Sequence, residues 1–166
     1  MGDPASGKAT QAARLVRRYG FYDLDMGKEV RKPSTRKIYD YAHTTRIGRL
    51  TPTPVVRSIF RNIIRAVPPT RGILFDGTPK MMGEAQLVAK LLRDHHKTNP
   101  IVIYLHIPIR EVSARVRKRR EYVAGKIRRR EDDNAQALKN RQKYYQTQIV
   151  RVIKFFKQRY VFKKIS

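Results

Sequence analysis

The 166-residue sequence contains no cysteine and no tryptophan, and its 13 acidic residues stand against 38 lysines and arginines. The absence of cysteine excludes disulfide frameworks, thiolate nucleophiles and cysteine-ligated zinc sites. The shortage of carboxylates leaves a formal net charge of +25 at pH 7. This imbalance predicts partners that carry negative charge, such as nucleotides or nucleic acid.

Long hydrophobic runs are also absent. The longest apolar run, Ile101–Ile107, is far shorter than the roughly 20 residues that span a bilayer, and no signal peptide precedes the first motif. The four histidines are His43, His95, His96 and His106. Their spacing is not that of metal ligands, so we assign them no metal and expect no zinc. We therefore expect no membrane partner and a location in the cytoplasm or an organelle matrix.

Hydrophobic residues make up 40% of the chain and are spread along all of it, which predicts one folded domain over residues 1–166. Short apolar runs predict four strands, at Phe21–Leu24, Gly72–Phe75, Ile101–Ile107 and Tyr160–Ile165. Helical spacing predicts five helices, at Gln11–Tyr19, Pro54–Ala66, Gly83–His95, Ile109–Arg119 and Asn134–Lys157. Because this alternation is typical of βαβ units, we expect an α/β fold with a parallel sheet flanked by helices.

The segment Gly2–Thr10 reads Gly-Asp-Pro-Ala-Ser-Gly-Lys-Ala-Thr and runs directly into the first predicted helix. This pattern is typical of a phosphate-binding loop, because glycines let backbone N–H groups point into one concavity and the helix N-terminus favours an anion. Lys8 would add a full positive charge. The strict pattern has Ser or Thr directly after the lysine, whereas here Ala9 precedes Thr10. The alternative interpretation is a glycine turn with a surface lysine.

The loop resembles that of adenylate kinases and the related nucleoside monophosphate kinases, which have the form Gly-x-Pro-x-x-Gly-Lys-x-Thr-Gln. Further segments follow in the family's order: Met26-Gly27 with Arg31, Gly48-Arg49-Leu50, Asp76-Gly77-Thr78-Pro79-Lys80, Arg115 with Arg119, and Arg130-Glu131-Asp132-Asp133 with Arg141. The resemblance runs from Gly2 to Lys163. It implies a P-loop three-layer fold with a helical acceptor-binding region at 26–66 and a short lid at 120–130, which we expect to be a compact loop.

The resemblance also implies a role for each matching residue. The implied ATP-binding residues are Gly2, Pro4, Ser6, Gly7, Lys8, Ala9, Thr10, Arg115 and Arg119. The implied AMP-binding residues are Met26, Gly27, Arg31, Val56, Gly77, Lys80, Glu84, Arg130 and Arg141. The implied catalytic residues are Lys8, Arg119, Arg130, Arg141, Asp132 and Asp133, the two aspartates orienting arginines. Asp76 and Thr10 would hold Mg²⁺ through water. Such a ring of cations suits phosphoryl transfer, which depends on positioning and charge neutralisation.

The match departs from the family on the acceptor side. Met26 replaces Thr or Ser, Lys28 replaces an aspartate, and Lys80 replaces an arginine. Glu84 stands where a base-reading glutamine is common. A lysine keeps the charge but loses the bidentate fork of arginine. AMP is therefore the expected acceptor, and a UMP/CMP-type kinase is the alternative.

The two ends of the chain also depart from the family, in which an apolar strand leads into the loop and a helix follows the last strand. Here only Met1 precedes Gly2, so we expect a chain shortened at both ends. The options are a start recorded downstream of the true one, a sheet open at its centre, or a trimmed relative held by a partner.

Most of the positive charge is not needed by nucleotide chemistry. Basic residues crowd the stretch from Arg110 to Arg130 and the polar side of the last predicted helix. The alternative function is therefore a kinase-derived structural protein that binds RNA in a large particle through phosphate contacts.

Overall fold

A computed structural model describes residues 1–118, 121–123, 126–128 and 135–166. The helices are α1 (Lys8–Tyr19), α2 (Met26–Arg31), α3 (Pro33–Arg36), α4 (Thr53–Ala66), α5 (Met82–His96), α6 (Ile109–Lys118), α7 (Ala135–Tyr144) and α8 (Val150–Arg159). The strands are β1 (Tyr22–Asp25), β2 (Ile73–Asp76), β3 (Ile101–Leu105), β4 (Glu121–Val123), β5 (Lys126–Arg128) and β6 (Val161–Ile165). A 3₁₀ turn covers Thr45–Ile47 and a π-helical turn covers Tyr145–Ile149. None of the helices described here is long and apolar enough to cross a bilayer.

The main strands are parallel, as the alternation with helices predicts. β1 pairs with β2 in a register that ends at Asp25 opposite Asp76, and β3 pairs with β6. Within the described ranges these are two separate pairs. The first residues of the chain add to the second pair, since Gly2 forms a parallel bridge with Leu105 of β3.

The core of the first pair lies between β1, α4 and α5. Leu24 of β1 and Phe60 and Ile64 of α4 are completely buried there. Their positions follow from the sequence, because apolar residues four apart place a stripe on one face of α4. A second cluster joins β3 to α8 through Val102, Val152 and Phe156, as the periodicity of the last helix indicates.

The last predicted helix, Asn134–Lys157, corresponds to a continuous helical stretch from Ala135 to Arg159 with a change of pitch inside it. α7 ends at Tyr144, a π-helical turn covers Tyr145–Ile149, and α8 continues to Arg159. The spacing predicts a buried face with Leu138, Tyr145, Ile149, Ile153 and Phe156. Ile149 and Phe156 are buried as predicted, Ile153 is half-buried, and Val152 beside it is completely buried. The side chains of Leu138 and Tyr145 lie outside the described residues.

Two regions contain elements that the sequence patterns did not predict. Within the lid, β4 and β5 pair in antiparallel register, a pairing that the prediction of a compact loop did not include. In the acceptor region, α2 and α3 are helical, as the resemblance implies, although no periodic pattern marks their positions. Runs of three to six residues are too short for periodicity to identify, and α2 is set instead by a local cap, because the Asp25 carboxylate accepts a hydrogen bond from the Lys28 N–H at 3.1 Å.

Candidate active site

The phosphate loop lies between β3 and the start of α1. The Asp3 N–H donates to the Leu105 carbonyl at 3.0 Å, and the Ser6 N–H donates to the Asp3 carbonyl at 3.2 Å, which closes a turn. Gly7 has φ of 85°, and α1 begins at the next residue. Ala5 also has positive φ, at 57°, an unusual conformation for a residue with a Cβ. The loop therefore opens at a helix N-terminus, where backbone N–H groups favour an anion.

Lys8 lies over this loop. Its Nζ donates to the Gly2 carbonyl at 2.9 Å and to the Asp3 carbonyl at 2.6 Å. These contacts hold the ammonium group at the loop that the sequence assigns to phosphate. The hydroxyl of Ser6 is buried and has no hydrogen-bond partner in the described structure. A buried hydroxyl of this kind is a donor for which a phosphate oxygen would be a suitable acceptor.

Carboxylates lie at the carboxyl ends of β1 and β2. Asp76 ends β2 directly opposite Asp25 of β1. Burial raises the pKa of Asp76, repulsion by Asp25 raises it further, and the positive charge of Lys8 opposes both effects. This interaction relates Asp76 electrostatically to the phosphate loop. Carboxyl ends of parallel strands are the usual place for ligands in open α/β sheets.

The residues assigned to Mg²⁺ fit a weakly held ion. Among the described residues no group of three or more histidines and carboxylates could hold a metal. Mg²⁺ in nucleotide sites is bound by one or two carboxylates together with water and substrate phosphates. Asp76 is such a carboxylate, and Thr10 lies exposed in the first turn of α1. The donor set therefore fits a metal that is brought by the nucleotide.

The acceptor-side residues divide into core residues and charged residues. Met26 and Val56 are 6% and 5% exposed and pack in the core. A Cβ added at Gly27 would lie 3.3 Å from both terminal nitrogens of Arg31. The absence of a side chain at Gly27 thus lets the guanidinium lie against the backbone. Lys80 lies 5.5 Å from the ring centroid of Tyr144 in α7. Lys80 therefore lies next to α7, the helix that contains Arg141. The side chain of Arg141 lies outside the described residues.

Glu84 is a buried carboxylate, with 2% of the residue exposed. It accepts hydrogen bonds from the Lys80 N–H at 2.9 Å and the Met81 N–H at 3.2 Å. Burial raises its pKa, and these two hydrogen bonds oppose the rise. Glu84 therefore fixes the segment after Gly77, where the Thr78–Pro79 peptide bond is cis, and its contact with a nucleotide stays a prediction.

Several predicted residues belong to the lid side. Arg115 of α6 pairs with Glu111 at 2.7 Å and is about half exposed. Arg119, Arg130, Asp132 and Asp133 lie outside the described residues. The roles given to these side chains remain predictions from the resemblance.

Sequence reasoning missed one group at the loop. Tyr104 and His106, at the end of β3, both contact the Asp3 carboxylate at 2.7 Å. His106 showed no metal-ligand spacing, and Asp3 falls at a variable position of the loop pattern. The signal that could have identified them is an acidic residue inside a loop built for anions, which needs a nearby partner.

A phosphate loop that opens a helix beside carboxylates at strand ends defines a P-loop nucleotide-binding protein. Comparison with known proteins narrows this class. The family model described as adenylate kinase matches residues 1–161, and the chain belongs to this family. It is thus a nucleoside monophosphate kinase, a phosphotransferase.

Curated relatives agree with this assignment. An adenylate kinase of Porphyromonas gingivalis (strain ATCC 33277) is 31% identical over 158 residues, which cover 93% of this chain and 79% of the relative. An adenylate kinase of Bacteroides thetaiotaomicron is 28% identical over 160 residues, covering 94% and 82%. One of Azobacteroides pseudotrichonymphae is 28% identical over 165 residues, covering 95% and 82%.

Proposed function

We propose that this chain transfers the γ-phosphoryl group of ATP to AMP, reversibly and with Mg²⁺, to give two ADP. The observation that carries the proposal is the position of Lys8, whose ammonium group lies over the loop at the start of α1 and interacts with Asp76 at the end of β2. A cation, loop amides and a carboxylate at one sheet edge are the groups that phosphoryl transfer uses.

The donor side would be held by the loop. Phosphoryl transfer requires little covalent chemistry from the protein, so the residues act by binding, orienting and neutralising charge. The loop amides and the N-terminus of α1 would bind phosphate oxygens, and Lys8 would exchange its contacts with the Gly2 and Asp3 carbonyls for phosphate. The buried Ser6 hydroxyl would donate to the same group.

Asp76 and Thr10 would hold Mg²⁺ through water. When bound, the metal would supply positive charge to the phosphate oxygens. Burial and repulsion by Asp25 raise the pKa of Asp76. A bound cation would offset this rise, because a positive charge stabilises the ionised carboxylate.

Arg31 and Lys80 would hold the acceptor phosphate. Arg31 lies against Gly27 and Lys80 is held beside Tyr144. Since the lysine makes a point contact where an arginine would bind bidentately, acceptor affinity is the property in which this chain should fall short.

The acceptor is tested by initial rates with ATP and each of AMP, CMP, UMP and GMP, with and without Mg²⁺. We expect AMP to be preferred and the rate to depend on Mg²⁺. Lys80→Arg should lower KM for AMP by about tenfold, the effect of one added charge-assisted hydrogen bond. The matched control is Lys90→Arg, since Lys90 pairs with Asp94 on the surface of α5. Phosphorylation of a pyrimidine nucleotide alone would overturn AMP as the acceptor and favour the UMP/CMP-type alternative.

A second candidate function, binding of RNA, is supported by one face of α8. Arg151, Lys154 and Lys157 are exposed and spaced three residues apart, so their side chains lie along one side of the helix. None of the three has an ion-pair partner among the residues that the structure describes. A row of unpaired cations suits a phosphate backbone, and it lies on an element that the nucleotide site does not use.

This second candidate is tested by titrating a labelled single-stranded RNA at several salt concentrations. Reversing the three charges (R151E, K154E, K157E) should weaken binding and lower the log–log salt slope by about 2, since each lost contact with a single strand removes roughly 0.7. The matched control reverses three exposed cations of α1 (R14E, R17E, R18E). Equal losses in both triple variants, or no binding by the unmodified protein, would contradict a specific surface on α8.

A further inference from the structure

An acidic residue lies inside the loop that would bind the most negative part of the substrate. Asp3 is 7% exposed, and a carboxylate beside phosphates is electrostatically unfavourable unless its charge is directed elsewhere. The structure shows where it is directed. Its two oxygens contact Tyr104 of β3 and the residues that follow this strand, His106 and Ile107.

Donors from Tyr104 and from the two residues after β3 lie within the described structure around this carboxylate. The Tyr104 hydroxyl donates to Oδ1 at 2.7 Å, and the Ile107 N–H donates to Oδ2 at 2.9 Å. His106 Nδ1 lies 2.7 Å from Oδ2. Because an ionised carboxylate only accepts hydrogen bonds, Nδ1 carries the proton. The hydrogen bonds from these donors therefore offset the desolvation cost of burying the negative charge.

The donors are themselves held by the β3–β6 pair. The ring of Tyr104 stacks on that of His106, with centroids 6.3 Å apart, and on that of Phe162, at 6.2 Å. The backbone N–H of His106 donates to the backbone carbonyl of Ile165 in β6 at 2.8 Å. Asp3 is thus bonded to residues that ring stacking and a backbone hydrogen bond hold against β6.

The backbone of the same residue supports the phosphate-binding side of the loop. The Asp3 carbonyl accepts from the Ser6 N–H at 3.2 Å and from Lys8 Nζ at 2.6 Å. A single residue therefore connects the sheet, through its side chain, to the loop turn and the lysine, through its backbone. Ala5 fixes the other side of the loop by packing against Ile107, Val112 and Val116.

We infer that Asp3 is a positioning residue which, held by Tyr104 and His106, keeps the phosphate loop in its ATP-binding shape. The inference rests on the proposed function, since it assigns ATP to this loop. Loss of the hydrogen bonds that hold Asp3 should weaken ATP binding, because the ligand must then order the loop amides and Lys8 itself. AMP binding should change little, because the acceptor residues belong to other elements.

The test combines two measurements on Asp3→Asn, which retains the size of the side chain but has one acceptor oxygen in place of two. Hydrogen exchange of the nucleotide-free protein should show faster amide exchange in the loop, at residues 5–8. Titration calorimetry should show a Kd for ATP raised at least about tenfold, the loss of roughly one charge-assisted hydrogen bond, with Kd for AMP within twofold. Asp40→Asn is the matched control, because Asp40 and His43 form a similar but exposed pair at 2.9 Å.

Two further variants keep the inference testable if Asp3→Asn does not fold. Tyr104→Phe removes one hydrogen bond and keeps the stacked ring, so Kd for ATP should rise about threefold. His106→Gln, which can still donate to Asp3, should bind ATP more tightly than His106→Leu.

The outcomes separate the inference from the proposed function. Unchanged loop exchange, or faster exchange with unchanged ATP affinity, would overturn the role of Asp3. Failure of the unmodified protein to bind ATP would overturn the proposed function instead, and the exchange measurement alone would then decide whether Asp3 holds the loop.

Discussion

Gly48 lies where the acceptor region meets α7, and the contact leaves no room for a side chain. Its φ is 76°, and an added Cβ would lie 2.7 Å from both the Cα and the carbonyl oxygen of Ala137. Next to it, Asn140 donates from Nδ2 to the Ile47 carbonyl at 2.8 Å. A single glycine thus allows the loop before Arg49 to lie directly on the helix that contains Arg141.

Three glycine-to-alanine variants should separate strain from collision. Gly48→Ala should lower the free energy of unfolding by about 3 kcal/mol, because it combines a left-handed backbone with a clash against backbone atoms. Gly20→Ala should cost about 1 kcal/mol, since Gly20 has φ of 69° with no atom within 4 Å of the added Cβ. Gly83→Ala should cost nothing or stabilise slightly, because Gly83 is helical and equally open.

Denaturant unfolding of the four proteins provides the measurement. Equal effects of Gly48→Ala and Gly20→Ala would show that the close approach to α7 does not form in solution.

At the same scale, single residues show what the sequence could and could not predict. The loop and Lys8 are evident because glycine spacing and a following helix form a local pattern. The link from Asp3 to Tyr104 and His106 joins residues about a hundred positions apart, so no local pattern contains it. Burial of Met26 and Val56 likewise depends on how α2 and α4 pack, and their resemblance to nucleotide-binding positions does not reveal it.

At the scale of elements, the N-terminus of α5 is organised by Glu84. This buried carboxylate accepts hydrogen bonds from the backbone N–H groups of Lys80 and Met81, and these bonds fix the segment between β2 and α5. The same arrangement makes the stability of the element depend on pH, because burial raises the pKa of Glu84 above its ordinary value of 4.5.

The sign of this dependence follows from linkage. A carboxyl with a raised pKa in the folded state contributes stability that is complete below pH 4.5 and is lost as the pH rises through the folded pKa. The side chain of Glu84→Gln remains neutral at every pH. As the pH rises above 4.5, the free energy of unfolding of this variant should therefore increase relative to that of the unmodified protein. Unfolding curves collected between acidic and neutral pH measure this difference.

The control for this series is Asp94→Asn. Its hydrogen bond to Lys90 lowers the pKa of Asp94 below its ordinary value of 3.8, so Asp94 stays ionised over the range tested and the difference should be flat. A difference for Glu84→Gln that is also flat, or that favours the unmodified protein at higher pH, would contradict the account of Glu84.

Long helices with a repeated apolar pattern were predictable from the sequence, and short helices and strands were not. α4 and α5 agree with their predicted ranges within one residue at each end, because an apolar stripe repeated over three turns is a strong signal. The strands β4 and β5 and the helices α2 and α3 are too short to carry such a stripe. A local cap fixes the start of α2, and β4 and β5 are defined by their pairing.

For the molecule as a whole, the net charge of +25 serves two purposes in this account. Under the proposed function, one part of this charge, at Lys8, Arg31 and Lys80, would hold the two nucleotides. Another part lies on α8 as an exposed row with no role in phosphoryl transfer. The parallel arrangement of β1 with β2 and of β3 with β6 was predictable from the alternation of strands and helices. The assignment of charges to one surface or another required the fold.

The central claim is that this chain is an active phosphotransferase that uses Lys8. The most direct measurement follows ATP, AMP and ADP by phosphorus NMR after enzyme and Mg²⁺ are added to equimolar ATP and AMP. The account predicts that the unmodified protein and the surface control Lys90→Ala form ADP, and that Lys8→Ala is slower by about a hundredfold or more, the usual cost of removing one transition-state cation. ADP formation by the unmodified protein no faster than by Lys8→Ala would contradict it.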